Sequence, residues 1–313
     1  MIQTGDVIDG QYRIVRLIGE GGQGSVYEAE DLDIGAPVAI KILKPEVANS
    51  AEFTTRMRRE ARSMGVLSGT AAVQIFALNR SAKDGLMYIV MELLRGQDLE
   101  RYLWKHETEF GPLPVSKMIE LLAPIIDTLE AAHSRGIVHR DLKPANIFVL
   151  DSTARGRVRL LDFGMVKDLS ASTPLTQDGF VVGSPSFIAP ESWQGPSLTI
   201  TAAADMYAMG AIIYRILAGH VPFRGDALVD VVRLVIRAAR PTLTDKRPDL
   251  PKPIDRWVAR VLAIEPHHRF TNIREMWTTL LDILRSAGSG GSGEWRSSNL
   301  PPPPRGSTPP GRM

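Results

Sequence analysis

The pattern of hydrophobic and polar residues predicts a sheet-rich first part of the chain, up to about residue 95. Short runs of β-branched and apolar residues are separated there by Gly, Asp and Pro residues, as is typical of strands joined by turns. The predicted strands are QYRIVRLIGE at 11–20, SVYEAED at 25–31, APVAIKIL at 36–43 and GLMYIVMEL at 85–93.

One segment of this region has the spacing of a helix. Residues 51–67 follow Asn49 and Ser50, and either of these two can cap a helix. The apolar residues of the segment recur at helical intervals, at Phe53, Met57, Ala61 and Met64.

After about residue 98 the spacing becomes helical, with one exception. The exception is NIFVLDSTARGRVRLLDFG, which predicts a hairpin with its turn near 154–156. The segment 116–135 carries one stripe formed by Ile119, Leu122, Ile126, Leu129 and His133. Further helices are predicted at 202–218, 254–264 and 272–285. A small sheet-rich part therefore precedes a larger helical one.

The last stretch, residues 287–313, is rich in Gly, Ser and Pro and has too few apolar residues to form a core. We expect a disordered tail there. Its run of prolines favours an extended polyproline II conformation, which can dock on a partner protein.

Charge and cysteine content narrow the possible functions. Lysine and arginine total 37 and aspartate and glutamate 35, so a net charge of +2 gives no reason to expect nucleic acid as a partner. The chain has no cysteine, which excludes disulfides, thiolate zinc sites and a cysteine nucleophile. The first residues lack the order of a signal peptide, and the apolar stretches are too short to span a membrane. We therefore expect a cytoplasmic protein.

The segment GEGGQGSVY contains Gly19, Gly21 and Gly24 in G-x-G-x-x-G order. By itself this pattern fits a simple glycine turn as well as a phosphate-binding loop. A dinucleotide-binding fold requires a helix next, and a Walker A loop requires Lys after the last glycine, but a strand follows and Ser25 holds that position. What remains is a glycine-rich hairpin whose backbone can approach phosphates closely.

Lys41 ends the apolar run VAIK, where its ammonium group needs an anion. The alternative is a lysine on the solvent side of an edge strand. Glu60 lies on the apolar side of the helix predicted at 51–67, whereas Glu52 sits in its first turn. Because a buried charge left alone costs about 3 to 5 kcal/mol, two opposite charges that both point inward suggest an ion pair.

The most specific stretch is IVHRDLKPANIFVL, in which Asp141, Lys143 and Asn146 lie between two apolar runs. Pro144 keeps this loop out of a helix. A carboxylate, an ammonium and an amide can accept a hydroxyl proton, neutralise a phosphoryl oxygen and bind a hard cation. Asp162 then follows an apolar strand, where Mg²⁺ shared with Asn146 would stabilise its carboxylate. Each segment alone fits a polar turn, but the two together favour a site.

Together these segments resemble the bacterial members of the serine/threonine protein kinase family, the eukaryotic-like or Hanks-type kinases. DLKPAN, with Lys143 two residues after Asp141, is similar to serine/threonine rather than tyrosine kinases. The resemblance covers residues 10–285. The matching segments occur in family order: GEGGQGSV, VAIK, Glu60, HRDLKPAN, DFG, APE at 189–191, DMYAMG at 205–210 and Arg269 in EPHHRF.

The resemblance implies an α+β fold, the bilobal protein-kinase fold. Residues 1–95 would form a small β-rich N-lobe with one key helix, and residues 96–286 a larger, mainly helical C-lobe. Residues 10–286 together would be one protein kinase domain. The implied reaction transfers the γ-phosphoryl group of ATP to Ser and Thr hydroxyls of proteins, with Mg²⁺ or Mn²⁺ as cofactor.

The resemblance also implies a role for each catalytic side chain. Lys41, held by Glu60, would contact the α and β phosphates, and Lys143 would stabilise the γ-phosphoryl group. Asp141 would orient the substrate hydroxyl and accept its proton. The implied metal ligands are Asn146 and Asp162.

The implied nucleotide site surrounds the adenine. Met91 would be the gatekeeper, the backbone of Glu92 and Leu94 would bind the adenine edge, and Asp98 would reach the ribose. Ile18, Val26 and Ala39 would pack on the adenine, and the remaining contacts would come from Gly19, Glu20, Gly21, Gly22, Gln23, Gly24, Ser25 and Lys41.

Three further residues are implied to be structural: Glu191 and Arg269 as a buried ion pair, and Asp205 as the aspartate that braces the catalytic loop. The chain also departs from the family pattern at two places. SGTAAVQIF at 68–76 replaces the usual His-Pro-Asn segment, and Ser184 stands where the family has threonine but keeps the hydroxyl.

The span between Asp162 and Glu191 is too long for a connecting loop without a function. The resemblance identifies it as the activation segment. We expect Thr176 to be the main autophosphorylation site and Thr173 the second. Arg140 has no role in phosphoryl transfer but can receive such a phosphate.

Two other functions remain to be weighed. A pseudokinase or nucleotide-binding scaffold would lack a catalytic group, and none is missing. An adaptor acting through the proline-rich tail is compatible with kinase activity but does not account for residues 1–285. The sequence therefore favours an active kinase with ATP and proteins as substrates.

Overall fold

The computed structural model describes residues 2–22, 24–44, 65–81, 83, 85–152, 156–163, 185–193 and 201–288. The helix predicted at 51–67 lies outside these residues except for its last three. The predicted tail lies outside them after residue 288.

An antiparallel six-stranded sheet forms the first part of the chain. Its strands are β1 (Val7–Ile8), β2 (Tyr12–Gly21), β3 (Gly24–Asp31), β4 (Ala36–Leu43), β5 (Ile75–Arg80) and β6 (Met87–Glu92). They lie side by side in the order β1–β2–β3–β4–β6–β5. The four strands predicted from the sequence are confirmed as β2, β3, β4 and β6, while β1 and β5 were not predicted.

The two faces of this sheet have different surroundings. One face buries a hydrophobic cluster made of Ile8, Tyr12, Ile14, Ala29, Val38, Ile40, Ile42, Tyr88 and Val90. Because successive side chains of a strand point to opposite faces, Ala39 and Lys41 of β4 point to the other face. That face meets the second part of the chain, since the Lys41 side chain contacts Asp162 there.

A second, three-stranded sheet contains β7 (Gly96–Asp98), β8 (Ile147–Leu150) and β9 (Val158–Leu160), in the order β7–β8–β9. The antiparallel pairing of β8 with β9 confirms the predicted hairpin, while most of its predicted turn near 154–156 lies outside the described residues. This hairpin ends directly before Leu161 and Asp162, so it places Asp162 opposite Lys41. We call the space between the two parts of the chain at this point the cleft.

The rest of the described chain is mainly helical. Its helices are α1 (Leu99–Phe110), α2 (Val115–His133), α3 (Ala202–Ala218), α4 (Leu228–Arg237), α5 (Pro253–Val261) and α6 (Ile273–Gly288). The four helices predicted in this part are confirmed as α2, α3, α5 and α6, while α1 and α4 were not predicted. Among the described residues, no helix combines the length and the apolar character needed to cross a bilayer.

Helix α3 is the centre of the helical part. Every residue from 204 to 217 is buried, as expected for a helix that is surrounded by other elements. At Gly210 a Cβ atom would lie 2.6 Å from both methyl groups of Val261 in α5. The two helices can therefore approach closely at this point only because residue 210 has no side chain.

The segment that departs from the family pattern connects the two parts of the fold. The backbone N–H of Ala71 donates to the hydroxyl of the fully buried Thr128 in α2, at 3.0 Å. Leu160 of β9 donates to the Ala71 carbonyl at 2.7 Å, and Val73 donates to the Leu160 carbonyl at 3.0 Å. These bonds fix β9, and with it the position of Asp162, against the helical core.

Candidate active site

The loop between α2 and β8 brings Asp141, Lys143 and Asn146 together. Lys143 Nζ donates to Asp141 Oδ2 at 3.0 Å. Asn146 Nδ2 donates to the same oxygen at 3.2 Å and to the Asp141 carbonyl at 2.7 Å. The short 3₁₀ turn Pro144–Asn146 brings the amide back to Asp141 in this way. Since the amide nitrogen is used, Asn146 Oδ1 remains available to a cation.

Asp205, in the first turn of α3, fixes the backbone that precedes Asp141. Its carboxylate accepts the backbone N–H groups of His139 at 2.8 Å and Arg140 at 2.9 Å, and it lies 2.8 Å from His133 Nε2. Asp205 is 1% exposed, at a helix N-terminus whose partial positive charge favours a carboxylate. These bonds hold Arg140 at a φ of 65°, a conformation that a non-glycine residue rarely adopts.

His139 is neutral and is oriented by two backbone groups. Its Nε2 lies 2.9 Å from the Leu161 carbonyl, which can only accept, so Nε2 carries the proton. Nδ1 then accepts the Asp141 N–H at 3.3 Å. Complete burial is the main cause that lowers the pKa of His139. Its ring also packs on Phe163 with 4.8 Å between centroids, which links the loop that contains Asp141 to the end of the hairpin.

Lys41 and Asp162 meet across the cleft. Lys41 Nζ donates to Asp162 Oδ1 at 2.9 Å. The lysine side chain is 9% exposed and the aspartate side chain 44% exposed, so the ammonium group is the buried member. Asp162 has a φ of 44°, again uncommon for a non-glycine residue. Lys41 therefore points into the cleft and not to solvent.

The glycines of the hairpin between β2 and β3 differ in what they require. A Cβ on Gly24 would lie 1.9 Å from the Ile42 carbonyl of β4, so the close approach of the strands already requires this glycine. Among the described residues, a Cβ at Gly22 would meet no atom within 4 Å, and at Gly19 the nearest atom would be 4.0 Å away. The space beside Gly22 is thus open to a ligand, whereas Gly24 has a packing role that the sequence did not reveal.

The predicted adenine contacts share one face of the sheet. Ala39 lies opposite Met91, and Val26 lies opposite Lys41. Directly opposed residues of antiparallel strands point to the same side, which is the side of the cleft. Ala39 is buried, Val26 and Met91 are half-buried, and Ile18 is exposed at the rim. Toward the hairpin tip, the structure places Glu20, Gly21 and Gly22 as exposed and Ser25 as half-buried.

The connection between the two parts of the fold contains Glu92, Leu94 and Asp98. The side chain of Glu92 is buried and accepts a hydrogen bond from Arg159 Nε at 2.9 Å. Leu94 is partly buried against the helical core. Asp98 Oδ1 accepts the Arg101 N–H at 2.9 Å and so caps α1. Asp98 therefore has a structural contact besides any contact with ribose.

Glu191 and Arg269 form a bidentate ion pair with two N–O distances of 2.7 Å. The arginine side chain is 0% exposed. Its remaining N–H groups donate to the carbonyls of Ala203, Ala263 and Ile264, so all five donors are used.

The predicted regulatory group is only partly described. Arg140 is exposed beside Asp141. Thr173 and Thr176 lie outside the described residues, and so do Gln23, Glu60 and Ser184.

This arrangement of two sheets, a helical core and a polar cleft matches a known family. The family model of the protein kinase domain matches residues 12–281. The chain belongs to the protein kinase family. The expected bilobal α+β kinase fold is confirmed, with a β-rich N-lobe and a mainly helical C-lobe.

The curated relatives of this kinase include bacterial proteins named as serine/threonine kinases. The chain is 35% identical to the probable serine/threonine-protein kinase PknB of Lactococcus lactis, over 94% of this chain and 45% of the relative. It is 35% identical to PrkC of Bacillus subtilis, over 87% of this chain and 40% of the relative. With PknA of Mycobacterium tuberculosis it shares 34% identity, over 99% of this chain and 67% of the relative. The kinase chain thus spans less than half the length of the first two relatives.

A solved bacterial kinase domain has the same fold. The kinase domain of Mycobacterium tuberculosis PknI has 26% sequence identity and a TM-score of 0.69, and the match covers 90% of this kinase and 98% of that chain.

Two ion pairs beside the cleft of this kinase, of which only the first is buried on both sides, were not found from the sequence. One joins Glu92 to Arg159, and the other joins Glu28 to Arg95. The sequence could have indicated that Glu28 lies beside the cleft, because Glu28 comes two residues after Val26 and therefore points to the same face of β3. Nothing in the sequence indicated a role for the Glu92 side chain, because only the backbone of this residue was expected to take part in the site.

Proposed function

We propose that this kinase domain is active and transfers the γ-phosphoryl group of ATP to serine and threonine hydroxyls of proteins. The observation that carries the proposal is one cleft in which Asp141, Lys143 and Asn146 lie in mutual contact and face the Lys41–Asp162 pair. The serine/threonine-protein kinase names of the curated relatives support the choice of acceptor.

In the proposed reaction Asn146 and Asp162 would hold Mg²⁺, or Mn²⁺ in its place. Amide and carboxylate oxygens are suitable ligands for such a hard cation. Asn146 Oδ1 is available because Nδ2 is held by Asp141, and the Asp162 side chain is 44% exposed toward the cleft. When bound, the metal supplies charge neutralisation at the phosphates.

The chain's own residues position the reactants. Asp141 orients the acceptor hydroxyl and accepts its proton, as the fixed carboxylate of a kinase catalytic loop does. Lys143, 3.0 Å from Asp141 Oδ2, lies where it can neutralise a γ-phosphoryl oxygen while that proton moves. Lys41 contacts the α and β phosphates, with Glu60 as its expected second partner. Catalysis is then mainly positioning and charge neutralisation.

The adenine lies against the cleft face of the N-lobe sheet. Ala39 and Met91 support this placement because they are neighbours in one cross-strand row. The backbone of Glu92 and Leu94 binds the adenine edge. Asp98 uses Oδ1 as a helix cap, which leaves its other oxygen for the ribose.

Regulation through the activation segment forms part of this proposal. Thr176 is the main autophosphorylation site and Thr173 the second. The exposed side chain of Arg140, next to Asp141, supports this idea because it is accessible to a phosphate. Mass spectrometry of the intact loop tests it: a fully active enzyme without phosphate on either threonine would exclude this regulation.

The domain limits and the location follow from the same proposal. Residues 10–286 form one kinase domain, with the N-lobe at 1–95 and the C-lobe at 96–286. The Gly-, Ser- and Pro-rich stretch expected at 287–313 carries a proline run that a partner protein can bind. ATP is an intracellular nucleotide, so the kinase domain works in the cytoplasm.

The activity is tested by replacing Asp141 with Asn, which keeps the size of the side chain and removes the base. Because a general base contributes about 10²- to 10⁴-fold, phosphate transfer from labelled ATP to a protein acceptor should fall by about that factor. Binding of ATP should change little. Asp282→Asn, on an exposed side chain of α6, is the matched control and should transfer phosphate at the wild-type rate.

Two results would contradict the proposal. Equal transfer by wild type and Asp141→Asn would mean that the signal does not come from this site. Binding of ATP without any transfer by the wild type would instead support a nucleotide-binding scaffold.

A further inference from the structure

The carboxylate of Glu28 lies between two arginines, on the side of the cleft where residues 92–98 connect the two lobes. We call this connection the hinge. Arg95 makes a bidentate contact, with Nη2 2.6 Å from Oε1 and Nη1 3.2 Å from Oε2. Arg16 approaches the second oxygen at 2.7 Å. The Glu28 side chain is 11% exposed, whereas those of Arg16 and Arg95 are 56% and 59% exposed. The glutamate is therefore the buried member of the group.

The strand register places Glu28 on the cleft face of the sheet. Arg16 of β2 lies opposite Glu28, Glu28 lies opposite Ala39, and Ala39 lies opposite Met91. Directly opposed residues share a face, so these four form one row across β2, β3, β4 and β6. Glu28 is thus directly opposite Ala39 and in the same row as Met91, two residues of the proposed adenine site.

Arg95 belongs to the other side of the cleft. It lies between β6 and β7, one residue after Leu94, whose backbone is proposed to bind the adenine edge. The Arg95 carbonyl accepts the N–H of Asp151 at 3.0 Å, which fixes it to the end of β8 in the C-lobe. The contact between Glu28 and Arg95 therefore joins the N-lobe sheet on one side of the cleft to the connection between the two lobes.

The Glu28 carboxylate stays ionised at neutral pH. The hydrogen bond from Arg95 is the largest cause that holds the pKa of Glu28 below its usual range, against the opposing effect of burial. Because the arginines are more than half exposed, solvent screens the attraction. The pair is suited to hold the N-lobe sheet and the connection to the C-lobe in register rather than to supply much stability.

We propose that Glu28 and Arg95 form a hinge clamp that holds the glycine-rich hairpin over the adenine site and so sets the affinity for ATP. The inference rests on the proposed kinase function. Both are positioning residues: they act through Val26 and Ala39 above the adenine and through the backbone of Leu94 beside it. Arg16 contacts the same carboxylate but belongs to the hairpin itself, so it connects nothing across the cleft.

This difference between the two arginines gives the test. Arg95→Met removes the contact that spans the cleft, and Arg16→Met removes a contact within the sheet. Arg95→Met should raise both KM for ATP and the equilibrium Kd for ATP about fivefold, which corresponds to about 1 kcal/mol. Its kcat at saturating ATP should stay within about twofold of wild type, since no reacting group is touched. Arg16→Met should leave all three values within about twofold.

A conservative variant checks that geometry matters as well as charge. Arg95→Lys keeps the charge but cannot make the bidentate contact, so it should give an intermediate increase in KM. Thermal unfolding of each variant, measured alongside, shows whether the fold is intact.

The outcomes are distinct. Equal ATP affinities for Arg95→Met, Arg16→Met and wild type would overturn the clamp, and so would a change in kcat alone. If the wild type binds ATP but transfers no phosphate, the proposed kinase function fails, while the Kd comparison still decides the clamp.

Discussion

Arg159 Nε donates a hydrogen bond to Glu92 Oε1 at 2.9 Å, and the two side chains are 11% and 6% exposed. Glu92 ends β6, where the chain leaves the N-lobe sheet, and Arg159 lies in β9, three residues before Asp162. The same carboxylate oxygen accepts the Gln74 N–H at 2.9 Å. One buried ion pair thus joins the hinge to the strand that carries a proposed metal ligand.

Removing one member of this pair should destabilise the fold strongly. Arg159→Met leaves the Glu92 carboxylate buried without its cation, which should lower the free energy of unfolding by about 3 to 5 kcal/mol. Arg159→Lys keeps a charge and should cost less. The double variant with Glu92→Leu and Arg159→Leu should recover part of the loss, because no unpaired charge is left. Urea unfolding measures all three, and a loss below about 1 kcal/mol for Arg159→Met would contradict a buried pair.

The Arg269 side chain should be intolerant even of lysine. Its five N–H groups all have partners, and lysine offers three donors without the planar fork. Arg269→Lys should therefore lower the free energy of unfolding by about 2 to 4 kcal/mol. Arg13→Lys is the control, because Arg13 pairs with Glu30 at an exposed site and should change stability by less than about 0.5 kcal/mol. Similar small effects at both positions would be evidence against the network.

His139 should make stability depend on pH below neutrality. Its pKa is lowered in the folded state by burial, so between that pKa and the ordinary value of about 6.5 the unfolded chain binds more protons. The free energy of unfolding should therefore fall as the pH is lowered from about 7.5 to about 5.5. His139→Asn, which can still donate to the Leu161 carbonyl, should show a weaker dependence. His267→Asn, at an exposed position, should keep the wild-type slope; identical slopes for all three proteins would contradict the prediction.

Two glycines of the hairpin should respond differently to alanine. Gly24→Ala places a Cβ 1.9 Å from the Ile42 carbonyl, so β3 and β4 must separate and stability should fall by about 1 to 3 kcal/mol. Gly22→Ala meets no atom of the described part of the chain within 4 Å and should leave stability within about 0.5 kcal/mol. If phosphates approach this backbone, Gly22→Ala should nevertheless raise KM for ATP. Unfolding and steady-state kinetics of the two variants separate the effects, and an unchanged KM for Gly22→Ala would place the phosphates elsewhere.

The sequence predicted those elements in which apolar residues form a continuous run or recur on one face. Strands β2, β3, β4 and β6 and helices α2, α3, α5 and α6 are of this kind. Helix α1 buries only Leu99 and Leu103, while Trp104 and Phe110 are 64% and 74% exposed. Its apolar residues therefore do not mark a single stripe, and Asp98, which caps it, was interpreted only as a ribose contact. Tertiary packing, not local spacing, decides that this segment is a helix.

The catalytic loop was predictable because its polar residues are close together in the chain. Asp141, Lys143 and Asn146 lie within one short segment between apolar runs, and the structure keeps them in contact. The ion pairs around the cleft are different: Glu28 and Arg95 are 67 positions apart, and so are Glu92 and Arg159. No periodicity relates such distant charges, so only the fold reveals which carboxylate meets which arginine.

The anchoring of the catalytic loop to Asp205 has a consequence for its dynamics. The amide hydrogens of His139 and Arg140 are bonded to a carboxylate that is carried by α3, whose residues 204–217 are all buried. They can exchange with solvent deuterium only when that helix opens, so their exchange rates should match those of the α3 backbone rather than those of surface loops. The loop that would bind the acceptor hydroxyl thus belongs to the last cooperative unit to unfold, and heat would abolish its geometry only together with the whole C-lobe.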